Sequence, residues 1–365
     1  MVNFRCALPA ALLLIVLAPI APIGGGSKQG VELGVYDPCP DPSCDPSTVL
    51  RKLRDLGANA ILVTLVDGDG FALYPSKVLP VNQEMVPTTL ATIRVARLLG
   101  FKVYGWVNIP HRVWLSRHPD WIAVLSNGRP SNFYEDSYFQ AIVSPARLVR
   151  ERECVELLKE LFREVAGLDL DGVDLNDNFQ FSDAYSPEED EYLLTSYDEY
   201  TVRRFEEDTG IDVPGSSPRE WASFIEGDEA IRRSWIEWRA SQVTELVEMI
   251  YEAVREVNPS LELRPHLLIW DPLETYGLDY PGLARVTGTL YVMVPGYESR
   301  IMHYRAVWRA KSSGAGQVIA STYLMDLLGD GDPIEEARRR ARWLASAGAD
   351  GIFVYWEGVG EERYD

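Results

Sequence analysis

Residues 170–178 read Leu-Asp-Gly-Val-Asp-Leu-Asn-Asp-Asn, a short run in which apolar side chains alternate with acidic or amide ones. On a strand, successive side chains point to opposite faces, so Val173 and Leu175 share one side and Asp174 and Asn176 the other. In a barrel of parallel strands wrapped by helices, the apolar set meets the helices and the polar set faces the axis near the mouth. Carboxylates gathered there, including Asp177 at the end of the run, point to acid/base chemistry on a bound substrate.

Outward from this segment, eight β-like runs occur at 31–37, 58–66, 101–109, 170–177, 261–269, 288–296, 317–326 and 350–357. Helical patterning falls between many of them, at 47–56, 88–99, 145–166, 230–257, 300–312 and 333–347. Strands alternating with helices predict an α/β chain folded as a (β/α)8 TIM barrel. Several helical runs stop at a glycine (Gly57, Gly100, Gly167 and Gly348), as helix C-termini prefer. An open doubly wound sheet would need a glycine-rich phosphate loop after an early strand. Gly68-Asp69-Gly70 lacks a suitable following helix, and Gly24, Gly25 and Gly26 belong to the N-terminal segment.

The chain has 365 residues, 46% of them hydrophobic, enough for one barrel of ~250 residues with insertions. The reading is therefore an N-terminal segment at 1–26 followed by a single catalytic domain at 27–365. A formal net charge of −20 repels nucleic-acid backbones and anionic membranes. A neutral substrate such as a sugar, or a cationic one, suits this surface better.

Positions 1–26 carry Arg5, an apolar run over 7–23 and a triple glycine, the pattern of a secretory signal peptide. The competing reading is an uncleaved anchor, since the run approaches the lower limit of ~17 residues for a membrane span. Pro19, Pro22 and the small residues after them favour cleavage, so the expected location is outside the cell or at its surface. Cys39 and Cys44 sit in a proline-rich loop that an oxidising compartment permits to close as a disulfide. Cys154 reads as a buried thiol in an amphipathic helix. The chain offers too few ligands at usable spacing for zinc, and no metal or other cofactor is expected.

Two connections exceed the usual strand-to-helix length of about two to six residues. One covers roughly 110–143 and is rich in Trp, His, Arg and Asn, with His111 and Trp121 as candidate substrate contacts; the other runs from Gln180 to about Ala230 and is acidic. Both leave the C-terminal ends of their strands, the functional face of such a barrel. The inward set near the mouth is read as Tyr36, Thr64, Trp106, Asn108, Asp174, Asn176, Arg264, His266, Tyr291, Tyr355 and Glu357. An apolar interior would need none of these polar groups. Trp106, Trp114, Trp121, Trp270 and Trp356 fall at strand ends or in mouth loops, where indoles suit stacking on sugar rings. Trp221, Trp235, Trp238, Trp308 and Trp343 fall in helical runs and read as core.

Hydrolysis of a glycosidic bond needs a general acid and a second carboxylate about 5–10 Å away. Asp177 is the first candidate, with Asp174 beside it, and Glu357 on the eighth strand leads the cross-barrel alternatives Asp326, Glu298 and Asp271. Against this, Asp174 has the option of simply pairing with Arg264 inside the barrel, and Asp171 reads as a turn residue.

Several ordered segments resemble the glycosyl hydrolase-like family 10 group. They are Ala58-Asn59-Ala60-Ile61-Leu62-Val63 leading to Asp69, Phe71, Tyr74-Pro75-Ser76-Lys77 and Pro80; Gly100-Phe101-Lys102-Val103 with Trp106-Val107-Asn108 and Pro110; His118-Pro119-Asp120-Trp121; Asp171-Gly172-Val173 with Asp177; Trp235-Ile236-Glu237-Trp238-Arg239; and Gly348-Ala349-Asp350-Gly351-Ile352-Phe353. The resemblance spans roughly 31–357 and implies a carbohydrate-active barrel. In two places the chain departs from the family's pattern. Tyr104 stands where a histidine is common on the third strand, and Asp174 and Asn176 replace the histidine and the first aspartate of the fourth-strand signature. Asp177 alone is carried over from that acidic pair.

The combined expectation is a secreted glycoside hydrolase acting on a poly- or oligosaccharide with Asp177, Asp174 and Glu357 as carboxylates. Tyr36, Trp106, Asn108, His111, Trp121, Asn176, His266, Trp270, Tyr291 and Trp356 are its candidate substrate contacts. A non-catalytic carbohydrate-binding barrel is the alternative. A metal-dependent deacetylase or amidohydrolase using Asp174, Asp177 and His266 is a third reading, but the chain has 4 histidines and no His-x-His on its first strand.

Overall fold

The computed structural model describes residues 32–55, 57–134, 141–294, 299–323 and 333–355. In chain order these form β1 (Glu32–Tyr36), α1 (Pro46–Asp55), β2 (Ala60–Val66), α2 (Val86–Leu99), β3 (Lys102–Val107), α3 (His111–Leu115), α4 (Pro145–Leu148), α5 (Arg152–Ala166) and β4 (Gly172–Leu175). A hairpin of β5 (Asp183–Ser186) and β6 (Glu191–Leu194) follows, then α6 (Glu199–Thr209), α7 (Pro218–Gly227) and the long α8 (Glu229–Val257). The chain continues through β7 (Glu262–Leu267), α9 (Pro272–Tyr276), α10 (Tyr280–Thr287), β8 (Thr289–Val294), α11 (Arg300–Ser312), β9 (Gln317–Tyr323), α12 (Pro333–Ser346) and β10 (Gly351–Tyr355). Eight parallel strands close in the order β1-β10-β9-β8-β7-β4-β3-β2, which is the expected (β/α)8 barrel. The proposed leader lies outside the described residues. Among those described, no helix is long and apolar enough to cross a membrane.

Local chemistry sets the element ends. Asp228 caps α8 by accepting from the amides of Ala230 and Ile231, and α2 stops at Gly100, whose φ of 80° turns the chain left-handed into β3. The helical run expected over 145–166 is two helices, because Glu151 is extended (φ −71°, ψ 121°) between them. Close approach explains Gly34: a Cβ there would lie 2.1 Å from the Phe353 ring.

Strand register carries the site. Thr64 pairs with Trp106, Trp106 with Asp174, and Asp174 with Arg264, so one row of the barrel holds all four. One layer higher, His266 pairs with Tyr291. The side chains of Val103, Val107, Val173, Leu175, Leu263 and Leu267 are buried in the principal core.

The connection after β4 holds structure of its own. Its hairpin and helices pack Tyr197, Phe205, Trp221 and Trp235 into a second apolar cluster. Arg239 then ties this unit to the barrel, donating to the carbonyls of Thr195, Glu274 and Thr275. The Trp-Ile-Glu-Trp-Arg segment is thus a clamp on the loops around the mouth. Glu164 does similar work for the Tyr74–Lys77 loop, accepting from Ser76 Oγ at 2.6 Å and from the Lys77 amide at 2.8 Å.

A disulfide joins Cys39 and Cys44, with Cα atoms 5.5 Å apart. Cys154 is buried and its thiol is pushed up to about 12 by that burial, which suits packing rather than nucleophilic chemistry. Two indoles differ from expectation. Trp308 is 70% exposed on the outer side of α11 rather than in the core, and Trp114, expected at the mouth, is wholly buried.

Candidate active site

Beneath the mouth lies a buried ionic network. Arg264 meets both carboxylate oxygens of Asp174, with its second contact at 2.8 Å, and donates to Glu32 Oε1 at 3.0 Å. Glu32 in turn accepts from Lys102 Nζ and Tyr104 Oη, each at 2.9 Å. The guanidinium lies over the Tyr104 ring at 3.3 Å, so aromatic faces help to solvate a charge sealed from water. Burial works against the charged form of Asp174, but Arg264 and His266 together hold its carboxyl below the usual range.

The next layer is aromatic. His266 reaches Asp174 Oδ2 through Nε2 at 3.1 Å and Tyr355 Oη through Nδ1 at 3.4 Å. It also stacks on Tyr291 at 3.7 Å and receives the edge of Trp106 at 4.5 Å. Burial lowers the His266 pKa, with Asp174 opposing it. Tyr36 stacks on Tyr355 at 4.5 Å and meets Trp106 edge-on at 4.9 Å.

Above these rings the strand ends present amides and acids. Asn176 donates to Asn108 Oδ1 at 2.5 Å, and Asn108 is itself held by the Val66 carbonyl at 2.8 Å. Asp177 opens a single helical turn, Asp177–Phe179, with its amide on the Asn176 side chain at 2.8 Å. Its side chain is 3% exposed. Asn178 grips Ile109 at both backbone atoms, 2.9 and 3.0 Å, locking the β4 exit to the β3 exit.

The structure thus brings together Tyr36, Trp106, Asn108, Asp174, Asn176, His266 and Tyr291 around one end of the barrel, and gives three of them other duties than expected. Asp174 is fully buried with both oxygens on Arg264, so it anchors the floor and has no open side for a substrate. His266 and Tyr291 are fully buried as well and lie under the mouth rather than in it. A fourth correction concerns His111, whose Nδ1 accepts from the Val143 amide at 3.1 Å and whose Nε2 lies 2.7 Å from the Asn178 carbonyl. Both ring nitrogens are spent inside the loop scaffold. Trp121 is half-buried, stacked on His118 at 4.0 Å, and the Arg147 guanidinium lies 4.9 Å from its ring centre. Trp270 is half-buried at the edge of the core. Asp271 is exposed at the start of α9. Glu357, Trp356, Asp326 and Glu298 lie outside the described residues.

Residues missed from sequence include Glu32, Tyr104, Asn178 and Asp37. Asp37 follows Tyr36 directly, has a left-handed φ of 37°, and accepts from Thr64 Oγ1 at 3.0 Å. Burial raises its pKa to about 6, against the lowering effect of the Thr64 hydrogen bonds. An aspartate closing the expected run 31–37, just past the end of β1 and before Pro38, is the available signal.

His111 supplies a test of the loop scaffold. Burial lowers its pKa to about 4 from the ordinary 6.5, so between those values the unfolded chain binds the proton and the folded one does not. Stability from this group is full above pH 6.5 and falls as the pH drops towards 4. From pH 7 to pH 5 the loss is about 2 kcal/mol. The destabilisation caused by His111→Asn, read by urea unfolding, should therefore shrink by that order between pH 7 and pH 5; a pH-independent difference would contradict the buried neutral imidazole.

Comparison with known proteins adds three findings. The model of the family described as glycosyl hydrolase-like 10 matches residues 43–265. No curated protein sequence matches the chain. Among solved structures, the chain resembles the β-galactosidase of Marinomonas ef1 (TM-score 0.59, 14% identity, covering 89% of this chain and 54% of that one). It also resembles the β-galactosidase of Halorubrum lacusprofundi (0.62, 14%, 91% and 54%) and α-L-fucosidase isoenzyme 2 of Paenibacillus thiaminolyticus (0.56, 16%, 90% and 46%). The chain spans about half the length of these neighbours, and at such identities the likeness is one of fold.

Proposed function

The chain belongs to the glycosyl hydrolase-like 10 family, and from that premise we propose that it is a glycoside hydrolase whose active centre is the barrel mouth around Asp177. The observation that carries the reading is the position of Asp177: it follows β4 directly with its amide on Asn176, whose side chain pairs with Asn108 at the barrel end where Tyr36, Trp106 and Tyr355 also meet. Aromatic faces and amides together suit a neutral sugar, whose ring presents C–H faces and hydroxyl edges.

In this reading Asp177 acts as the carboxylate at the anomeric carbon, either directly or by drawing a proton from water, while a second carboxyl protonates the leaving oxygen. Asn108 and Asn176 orient sugar hydroxyls. Asp174 keeps His266 and Tyr355 in place beneath, as a positioning residue. The neighbours named for galactosides and fucosides make these sugars the first to try, and oligosaccharides the natural extension.

A second reading, a barrel that binds glycans without cleaving them, draws support from Asn176 at a position where the family pattern carries an aspartate. Metal-dependent deacetylation is disfavoured on chemical grounds, because the Arg264 guanidinium already occupies the cation position at Asp174 and His266. The discriminating experiment is a screen of aryl glycosides, oligosaccharides and acetylated sugars, read for released aglycone, reducing ends and acetate, with a chelator arm. Chelator-insensitive release supports the hydrolase; saturable binding with no release supports the binding module; release of acetate that a chelator abolishes supports the deacetylase.

Secretion belongs to the same proposal, on the strength of the leader-like segment at 1–26 and the Cys39–Cys44 disulfide. N-terminal sequencing of chain recovered outside the cell should begin near Gly26. Retention of the full-length chain inside would contradict it.

A further inference from the structure

The carboxyl of Asp37 accepts from the buried Thr64 hydroxyl at 3.0 Å. Strict alternation along β1 would send Asp37 to the face opposite Tyr36. Its φ of 37° breaks that alternation, and the carboxyl meets Thr64, whose Oγ1 is also 3.3 Å from Tyr36 Oη. The left-handed backbone therefore brings Asp37 to the inward side, next to the Tyr36 and Tyr355 stack. A non-glycine residue in this region costs free energy, more so before a proline, and such strain is concentrated where function needs a side chain re-aimed.

From this geometry we propose that Asp37 is the general acid of the barrel, donating its carboxyl proton to the leaving glycosidic oxygen opposite Asp177. The inference rests on the glycoside hydrolase reading above and names the second carboxylate which that reading requires. In the closed ring β2 and β3 separate β1 from β4, so the two acids stand across the mouth from each other. For an eight-stranded barrel with strands ~4.8 Å apart, such backbones are roughly 14 Å apart, and two aspartates whose carboxyls both turn to the axis would leave about 8 Å between them, the one-turn helix at Asp177–Phe179 breaking the β4 alternation on that side. That falls within the separation of about 5–10 Å at which two carboxylates flank a glycosidic bond.

The step balances without a further co-reactant beyond water. The bond from the anomeric carbon to the leaving oxygen breaks, its electron pair goes to that oxygen, and the Asp37 proton joins it. Water oxygen ends on the anomeric carbon, its proton is taken up by the carboxylates, and Asp37 regains a proton before the next turnover. An acid recessed beside Thr64, whose hydroxyl also lies near the Tyr36 phenol, has the right poise as well, since burial favours its neutral form.

Leaving-group dependence tests this directly. A dinitrophenyl glycoside needs no proton on departure, whereas an alkyl glycoside or an oligosaccharide does. Asp37→Asn should lose roughly hundredfold or more in kcat/KM, which reports the bond-breaking step, on the alkyl glycoside and stay within about tenfold of wild type on the dinitrophenyl glycoside. Asp37→Gly, which accepts the left-handed φ without strain, should show the same split and guards against a folding defect of the amide variant. Equal loss on both substrates in the two variants, or no loss on either, overturns the assignment of Asp37 alone. Failure of the wild type to cleave any of these glycosides overturns the hydrolase reading itself.

Discussion

Arg264→Met should lower the unfolding free energy by roughly 3–5 kcal/mol, among the largest single-residue effects expected in the barrel. The side chain is sealed from solvent and sits between Asp174 and Glu32, themselves buried. Removing the guanidinium leaves two carboxylates without their principal counter-charge in a place that water does not reach. Lys102 still reaches Glu32, from a more exposed position, so Asp174 bears most of the loss. Urea unfolding at neutral pH measures the effect, and a cost below about 1 kcal/mol would show that the network is not what stabilises the floor.

The sign of its pH dependence follows from Asp174. Arg264 and His266 keep this carboxyl below the usual range despite burial, so its contribution is present above the unfolded-state value of 3.8 and is lost as the pH falls through the folded value. Without Arg264 the folded value rises, and the gap between variant and wild type should narrow in acid. Adding Asp174→Asn to Arg264→Met should recover part of the stability, because the uncompensated charge goes with it.

The barrel was legible from period and punctuation. Apolar runs with two-residue alternation, glycine stops such as Gly100, and the polar inward members Thr64, Trp106, Asp174 and Arg264 are local signals, and register then places those four in one row. The ion pair between Glu32 and Arg264 joins the first strand to the seventh across 232 positions, a contact that only closure of the ring creates. His111 looked like a sugar contact because histidine in a long mouth loop has polar capacity; the loop's own backbone consumes it. Asp37 escaped notice because alternation is the very rule its left-handed φ breaks. The connection after β4 read as an acidic insertion, with Trp221 as a core residue in a helical run; that it forms a separate apolar cluster was not legible, because residues such as Phe205 are spaced among many charges.

Asp177→Asn is expected to reduce turnover by roughly 10³–10⁴-fold, the scale on which an essential acid/base or nucleophilic carboxylate acts. Asparagine keeps the size and the backbone turn at 177–179, and the Asp177 amide still finds the Asn176 side chain, so folding and glycan affinity should survive. The split between kcat and binding matters here: a carboxylate that works in the transition state changes kcat with little change in ground-state affinity. Once the screen has identified a cleaved oligosaccharide, the decisive measurement is reducing-end release from it by wild type and Asp177→Asn, at concentrations where calorimetry shows both equally occupied. The account predicts steady release by the wild type and at least a thousandfold slower release by the variant; equal rates at equal occupancy would contradict it.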